Sequence, residues 1–129
     1  MYDSLLAKQL GADEYGMKNY VMVFLKSGPV KLQDSVQQAE LQHRHLKNIL
    51  RLAAEGKLIV AGPFLDDQAI RGIFIFNVQT VEEARVLTGT DPAVKAGTLV
   101  IELHPWYGSV ALVETTRIHK TIEQKSVAD

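Results

Sequence analysis

The stretch Leu58-Ile59-Val60-Ala61-Gly62-Pro63-Phe64-Leu65-Asp66-Asp67-Gln68-Ala69-Ile70-Arg71-Gly72-Ile73-Phe74-Ile75-Phe76-Asn77-Val78 decides the architecture. Its two apolar runs, Leu58 to Ala61 and Ile70 to Val78, are rich in β-branched and aromatic residues. Gly62-Pro63 and a polar turn with paired aspartates separate them, so they read as a hairpin of two strands. Working outward, what lies on either side is helical. From about Ser35 to Glu55 apolar residues recur at Val36, Ala39, Leu46, Ile49, Leu50 and Ala53 with a helical period, and Gly56 is placed to end the helix. On the other side Thr80 caps a shorter helix through Val81, Ala84, Val86 and Leu87, with Glu82 and Glu83 in the first turn, where the helix dipole favours them, and Gly89 closing it. Beyond the helices lie two more strands, Tyr20 to Leu25, stopped by Ser27-Gly28-Pro29, and Leu99 to Leu103, stopped by Pro105. The order is β-α-β-β-α-β. It predicts an α+β, ferredoxin-like domain with a four-stranded antiparallel sheet and two helices on one face. Residues 1–17 read as an N-terminal arm with one short helical turn, 18–113 as the domain, and 114–129 as a polar C-terminal tail.

Strands 1 and 3 are apolar at nearly every position, whereas a sheet with one face in water alternates. Two helices screen one face. The other would leave an apolar patch larger than soluble monomers usually tolerate. The expectation is therefore a homodimer packed through that sheet face, with a second subunit closing the cavity, and whether dimers assemble further is left open. The competing reading has the C-terminal tail fold back over the sheet, but Thr115 to Asp129 is too polar to shield it alone.

The chain has 129 residues, 47% of them apolar, and a formal net charge of −1. That is enough for one core without staples, and the near-neutral charge lacks the basic footprint that holds a phosphate backbone. The strand order and Arg71-Gly72-Ile73-Phe74-Ile75-Phe76 also resemble an RNA-recognition module. Its stacking positions would be Ile73 and Ile75, which offer no aromatic platform, while Phe74 and Phe76 fall towards the helices, so no nucleic acid is expected. With no cysteine and four scattered histidines, neither a disulfide framework nor a thiolate nucleophile is available, and neither a metal nor a cofactor is expected. No apolar run approaches the roughly 20 residues of a membrane span, and the start lacks a signal peptide's pattern. A soluble, cytoplasmic chain is expected, as it would be for one whose leader had been removed.

His45 lies mid-helix on the line of Leu41, Ile49 and Leu52, so it points towards apolar surface; His43 projects to a nearly opposite side. A histidine there is either a satisfied structural residue or a working one. Asp91 precedes Pro92, and its carboxylate either caps the local backbone or serves a site. His104, Trp106 and Tyr107 cluster where strand 4 runs out, and Trp106 could wall a pocket or anchor the dimer. Gly108 and Ser109 look like turn residues. Lys26 closes strand 1, either solvated or at the pocket.

Several segments read together: the helix bearing His45-Leu46, Leu52-Ala53-Ala54-Glu55-Gly56-Lys57-Leu58, Ala61-Gly62-Pro63-Phe64, Glu82-Glu83-Ala84 and Asp91-Pro92-Ala93-Val94-Lys95-Ala96-Gly97. Over about residues 18 to 106 the chain resembles the YCII family, and Pro105-Trp106-Tyr107-Gly108-Ser109 resembles the closing strand of one subgroup. The resemblance implies a dimeric α/β barrel with two sheets packed face to face and a histidine–aspartate pair in a pocket, which maps onto His45 and Asp91. Activity in the family is mostly unassigned, although one related group is associated with hydrolytic removal of chlorine from a hydroxylated aromatic ring. Two functions follow. In one, a cofactor-free enzyme uses His45, held by Asp91, for general acid/base chemistry on a small, cyclic or aromatic substrate in a pocket drawing on Lys26, Pro63, His104, Trp106, Tyr107 and Ser109. In the other, the same pocket binds a small ligand without turnover.

Overall fold

In a computed structural model describing residues 1–129, the central hairpin is β2 (Leu58–Pro63) and β3 (Ile70–Phe76), extended by β1 (Met17–Ser27) and β4 (Leu99–Ser109). The sheet order is β2-β3-β1-β4, antiparallel at every pair, with Val23 opposite both Phe74 and Leu103. The expected α+β, ferredoxin-like arrangement is therefore observed. Alternation along the strands splits the apolar residues between the two faces. Val21, Val23, Leu25, Leu58, Phe74 and Phe76 face the helices and, with Leu52 and Ala84, form the main core. Burying side chains of this size contributes roughly 1.5–3 kcal/mol each, so this layer holds the domain together. Phe74 and Phe76 meet edge-on, 5.7 Å apart, within it.

Helix α2 (Ser35–Ala54) starts where the Asp34 carboxylate accepts the Val36 amide at 2.9 Å, and it buries Leu41 and Leu52. Helix α3 (Val81–Thr88) is capped by Thr80, whose hydroxyl accepts the Glu83 amide, and it buries Ala84 and Thr88. A single turn, α4 (Pro92–Lys95), follows. Gly28 has to be glycine, since a Cβ there would stand 2.1 Å from the Gly97 carbonyl oxygen. This close approach lets the chain after β1 pack against the loop that enters β4.

Two expectations for the C-terminal third need correction. β4 does not stop at Pro105 but runs on to Ser109, with Pro105 opposite Val21. It is an edge strand, where a missing N–H can be tolerated. Gly108 and Ser109 are accordingly strand residues. Gly108 is bare because the Trp106 indole lies over it, and a Cβ would come within 2.2 Å of that ring.

The second face of the sheet is covered in part by the chain itself. Tyr20, Ile59 and Ile75 are 1%, 6% and 5% exposed, packed under Trp106, Leu112 and Val113. Leu112 and Val113 belong to a 3-10 turn, Val110–Glu114, which leads into α5 (Thr115–Ile122) alongside β2. The apolar turn just before the polar tail packs directly on this face. The rest of that face, around Met22, Phe24 and Ile73 with Val100 at the edge, is only half covered. The arm carries α1 (Ser4–Leu10), started by the Asp3 carboxylate and ended at Gly11 in a left-handed conformation. No helix is long and apolar enough to cross a membrane.

Candidate functional site

Helical spacing places Leu41, His45, Ile49 and Leu52 along one side of α2, which packs on the sheet. The imidazole of His45 lies roughly parallel to the Phe74 ring, 6.3 Å between centroids and 22° between planes. Its Nδ1 is 2.7 Å from Oδ2 of Asp91, 46 residues further along the chain. The Asp91 side chain is 1% exposed and that of His45 12%. Asp91 is also the N-cap of α4, and its Oδ1 accepts the Ala93 amide at 2.8 Å. Backbone cap and partner of a histidine are thus not rival roles, since each occupies one oxygen of the same carboxylate. A carboxylate only accepts, so Nδ1 carries a proton, and in the neutral imidazole Nε2 keeps its lone pair. Nε2 has no partner in the protein and is not buried, and the ring lines a cavity.

That cavity, about 740 Å³, lies between α2 and the helix-facing side of the sheet. Its walls include Leu25, Leu41, Ile49, Phe74 and Leu99, with Ala61-Gly62-Pro63 of β2 at one side and Val127 of the C-terminal segment at the rim. One chain forms it. The cavity beside the imidazole therefore exists without a second subunit.

A hydrogen-bonded latch beside the pair fixes α2 against the loop that carries Asp91. The Asn48 amide donates to the Thr90 hydroxyl at 3.2 Å, Arg51 donates to both Asn48 (2.8 Å) and Thr90 (3.1 Å), and Thr90 donates to the Leu87 carbonyl at 2.6 Å. Sequence reading missed this latch. Asn48 stands one helical turn from His45, which was the available signal, but Thr90 offered none.

Of the other pocket residues expected from sequence, only Pro63 shares the cavity with His45. Lys26 and His104 stand on the opposite face, both bound to Glu102, at 2.7 and 2.9 Å. The hydrogen bond from the Lys26 ammonium, then that from His104, holds the Glu102 carboxyl below its usual range. Trp106 covers Tyr20, the rings 5.8 Å apart, so it and Pro63 do not flank a common space. Tyr107 donates its hydroxyl to Asp13, tying the arm to β4, and that bond holds the Asp13 carboxyl down and the Tyr107 phenol up. Ser109 gives its carbonyl to the Tyr20 hydroxyl at 2.7 Å. With Trp106 and Tyr107, Pro105 lines a separate hollow of about 280 Å³. Two charged cavity residues escaped notice: Lys31, and Arg71, read only as the start of an RNA-like signature. No three His, Cys, Asp or Glu side chains come close enough to hold a metal ion.

Fold and site together define a ferredoxin-like α+β domain with a histidine–aspartate pair beside an apolar cavity. The YCII-related domain model matches residues 20–107, and the chain belongs to that family. Among solved structures it is similar to the 5-chloro-2-hydroxyhydroquinone dehydrochlorinase of Burkholderia phenoliruptrix, in complex with 2,5-dihydroxybenzoquinone. The two are 22% identical with a TM-score of 0.53 over 67% of this chain and 92% of that one, a likeness of fold. No curated protein matches.

Proposed function

We propose that this chain is a cofactor-free enzyme for a small molecule held between α2 and the sheet, in which His45 moves a proton and Asp91 orients it. One observation carries the reading. A buried carboxylate accepts the Nδ1–H hydrogen bond at 2.7 Å and leaves Nε2 as the free nitrogen of a ring that lines a cavity of about 740 Å³. That volume falls in the range of small-molecule sites, and its mostly apolar wall with a few polar groups is what such sites require.

The chemistry follows from the tautomer. Nε2 accepts a proton from an acidic C–H, a hydroxyl or a water on the bound molecule, and the imidazolium so formed is stabilised by the Asp91 carboxylate across Nδ1–H. The same nitrogen returns the proton to the atom that becomes basic as the reaction proceeds. Phe74, parallel to the ring, and the latch through Thr90 restrict how far the imidazole can turn. The similar dehydrochlorinase acts on a hydroxylated, chlorinated ring, so small cyclic compounds are the first substrates to offer. A second copy of the chain, packed on the half-covered sheet face around Phe24 and Ile73, completes the assembly.

The test is turnover of a panel of hydroxylated and chlorinated ring compounds, 5-chloro-2-hydroxyhydroquinone among them, by the native chain and by His45→Asn. A rate loss of about 10²–10⁴, the usual worth of a positioned proton carrier, is expected. Undiminished turnover by the variant overturns the proposal, and ligand binding without product under any condition turns the site into a binding module.

A further inference from the structure

We infer that the ligand of this cavity is an organic anion with an apolar body, its charge met at the mouth by Arg71 and Lys31. The inference rests on the reading of the cavity as a substrate site and names the substrate's class.

The cavity wall contains no acidic side chain, and its charged groups are Arg71 on β3 and Lys31 in the segment after β1. Asp91, behind His45, has both oxygens engaged and is 0% exposed, so it presents no free carboxylate to the cavity. The two cations come from distant parts of the chain, so the fold, and not one local run of sequence, brings them to the same opening. Exposure orders the groups in depth. Arg71 is 39% exposed and Lys31 is open to solvent, while the His45 side chain is 12% exposed. Cations therefore stand at the rim and the imidazole further in, between Leu41, Ile49 and Phe74.

Charges of one sign around a low-dielectric cleft concentrate their field along it and raise the local concentration of the opposite ion. Arg71 is already oriented: its Nη1 donates to the Gln68 carbonyl at 3.0 Å and approaches Asp67 at 3.3 Å. Its other guanidinium nitrogens have no protein partner. Asp67 is fully exposed, and an ion pair of that kind is largely screened by water, so it does not cancel the guanidinium. A carboxylate or enolate on Arg71 and Lys31 would leave the apolar body against Phe74 and Leu41, with a reacting atom near Nε2. A neutral ligand would use the walls and ignore the rim, and a cation would be repelled.

Phenylacetate and phenylacetamide, nearly equal in shape and different in charge, are the probes. Each is titrated into the full chain at low salt while amide shifts along the α2 face of the cavity report binding. Phenylacetate is expected to bind about tenfold tighter, the worth of one partly screened charge-assisted hydrogen bond. Arg71→Gln and Lys31→Gln should each reduce that preference by about threefold, and their combination or about 0.5 M salt should remove most of it. Equal binding of both probes at the cavity overturns the anion assignment and leaves the proton-transfer reading standing, as does a preference that survives the double variant. If neither probe moves the cavity amides, the assignment falls together with the reading on which it rests.

Discussion

Replacing Asp91 by asparagine separates the two duties of its carboxyl group. The amide oxygen can still cap Ala93, but the NH₂ that faces Nδ1 needs an acceptor, so the imidazole proton moves to Nε2 and the lone pair on the cavity is lost. The fold should survive with a loss of about 1–3 kcal/mol, while turnover drops by orders of magnitude. Nitrogen NMR of the imidazole would report the exchanged tautomer, and an unchanged Nδ1 proton would contradict this account. Tyr20 gives a prediction in pH. It is 1% exposed, and burial raises its phenol above the ordinary value of 10.0. A group raised in the folded state contributes stability that is whole below its unfolded value and lost as pH climbs, so the native state should weaken from about pH 10 upward. Tyr20→Phe should cost about 1 kcal/mol at neutral pH, through the bond to Ser109, and should flatten that alkaline loss in denaturant titrations.

Among elements, the Val110–Glu114 turn has the clearest structural duty, because Leu112 and Val113 close the cluster of Tyr20, Ile59 and Ile75. A charge introduced there has no partner beneath it. Leu112→Asp is therefore expected to destabilise the chain by about 2 kcal/mol or more in chemical denaturation without touching the cavity on the other side of the sheet. The arm behaves differently, since a polar clasp ties it down. The Tyr107 hydroxyl, then the amides of Met17 and Tyr15, hold the Asp13 carboxyl below its ordinary value of 3.8. A lowered carboxyl contributes stability above that value and loses it as pH falls through the lowered one. Resonances of Tyr15, Met17 and Tyr107 should hence shift on acidification below about pH 4, and Asp13→Asn should abolish those shifts. β4 teaches a further lesson at this scale: Pro105 marks a strand end only if the strand is central, and the sheet order makes β4 an edge.

For the whole molecule, the proposed dimer rests on the open half of the second face. Phe24 and Ile73 lie half-buried there and Val100 is 40% exposed, beside the Lys26–Glu102–His104 cluster. Phe24→Lys should turn a two-fold dimer into a folded monomer in sedimentation equilibrium, and a native chain already monomeric at micromolar concentration would remove the dimer from the proposal. The order of strands and helices was legible in the chain because side-chain periods of 2 and 3.6 are local properties of the backbone. Leu41, His45 and Ile49 could be put on one helix face for the same reason, and Phe74 and Phe76 on the helix side of β3. The pairing of His45 with Asp91 came from family likeness and not from spacing, since nothing local links residues 46 apart. Only the packed tertiary structure showed that one carboxylate both caps α4 and holds the imidazole, and that Lys31 and Arg71 share a rim. It also showed that Trp106 and Pro63 lie on opposite sides of the sheet and that an apolar turn after β4 covers part of it. Each of these depends on how distant segments meet, which is settled by the burial and shape of the whole core, whereas periodicity records only which way each side chain leaves its own strand or helix.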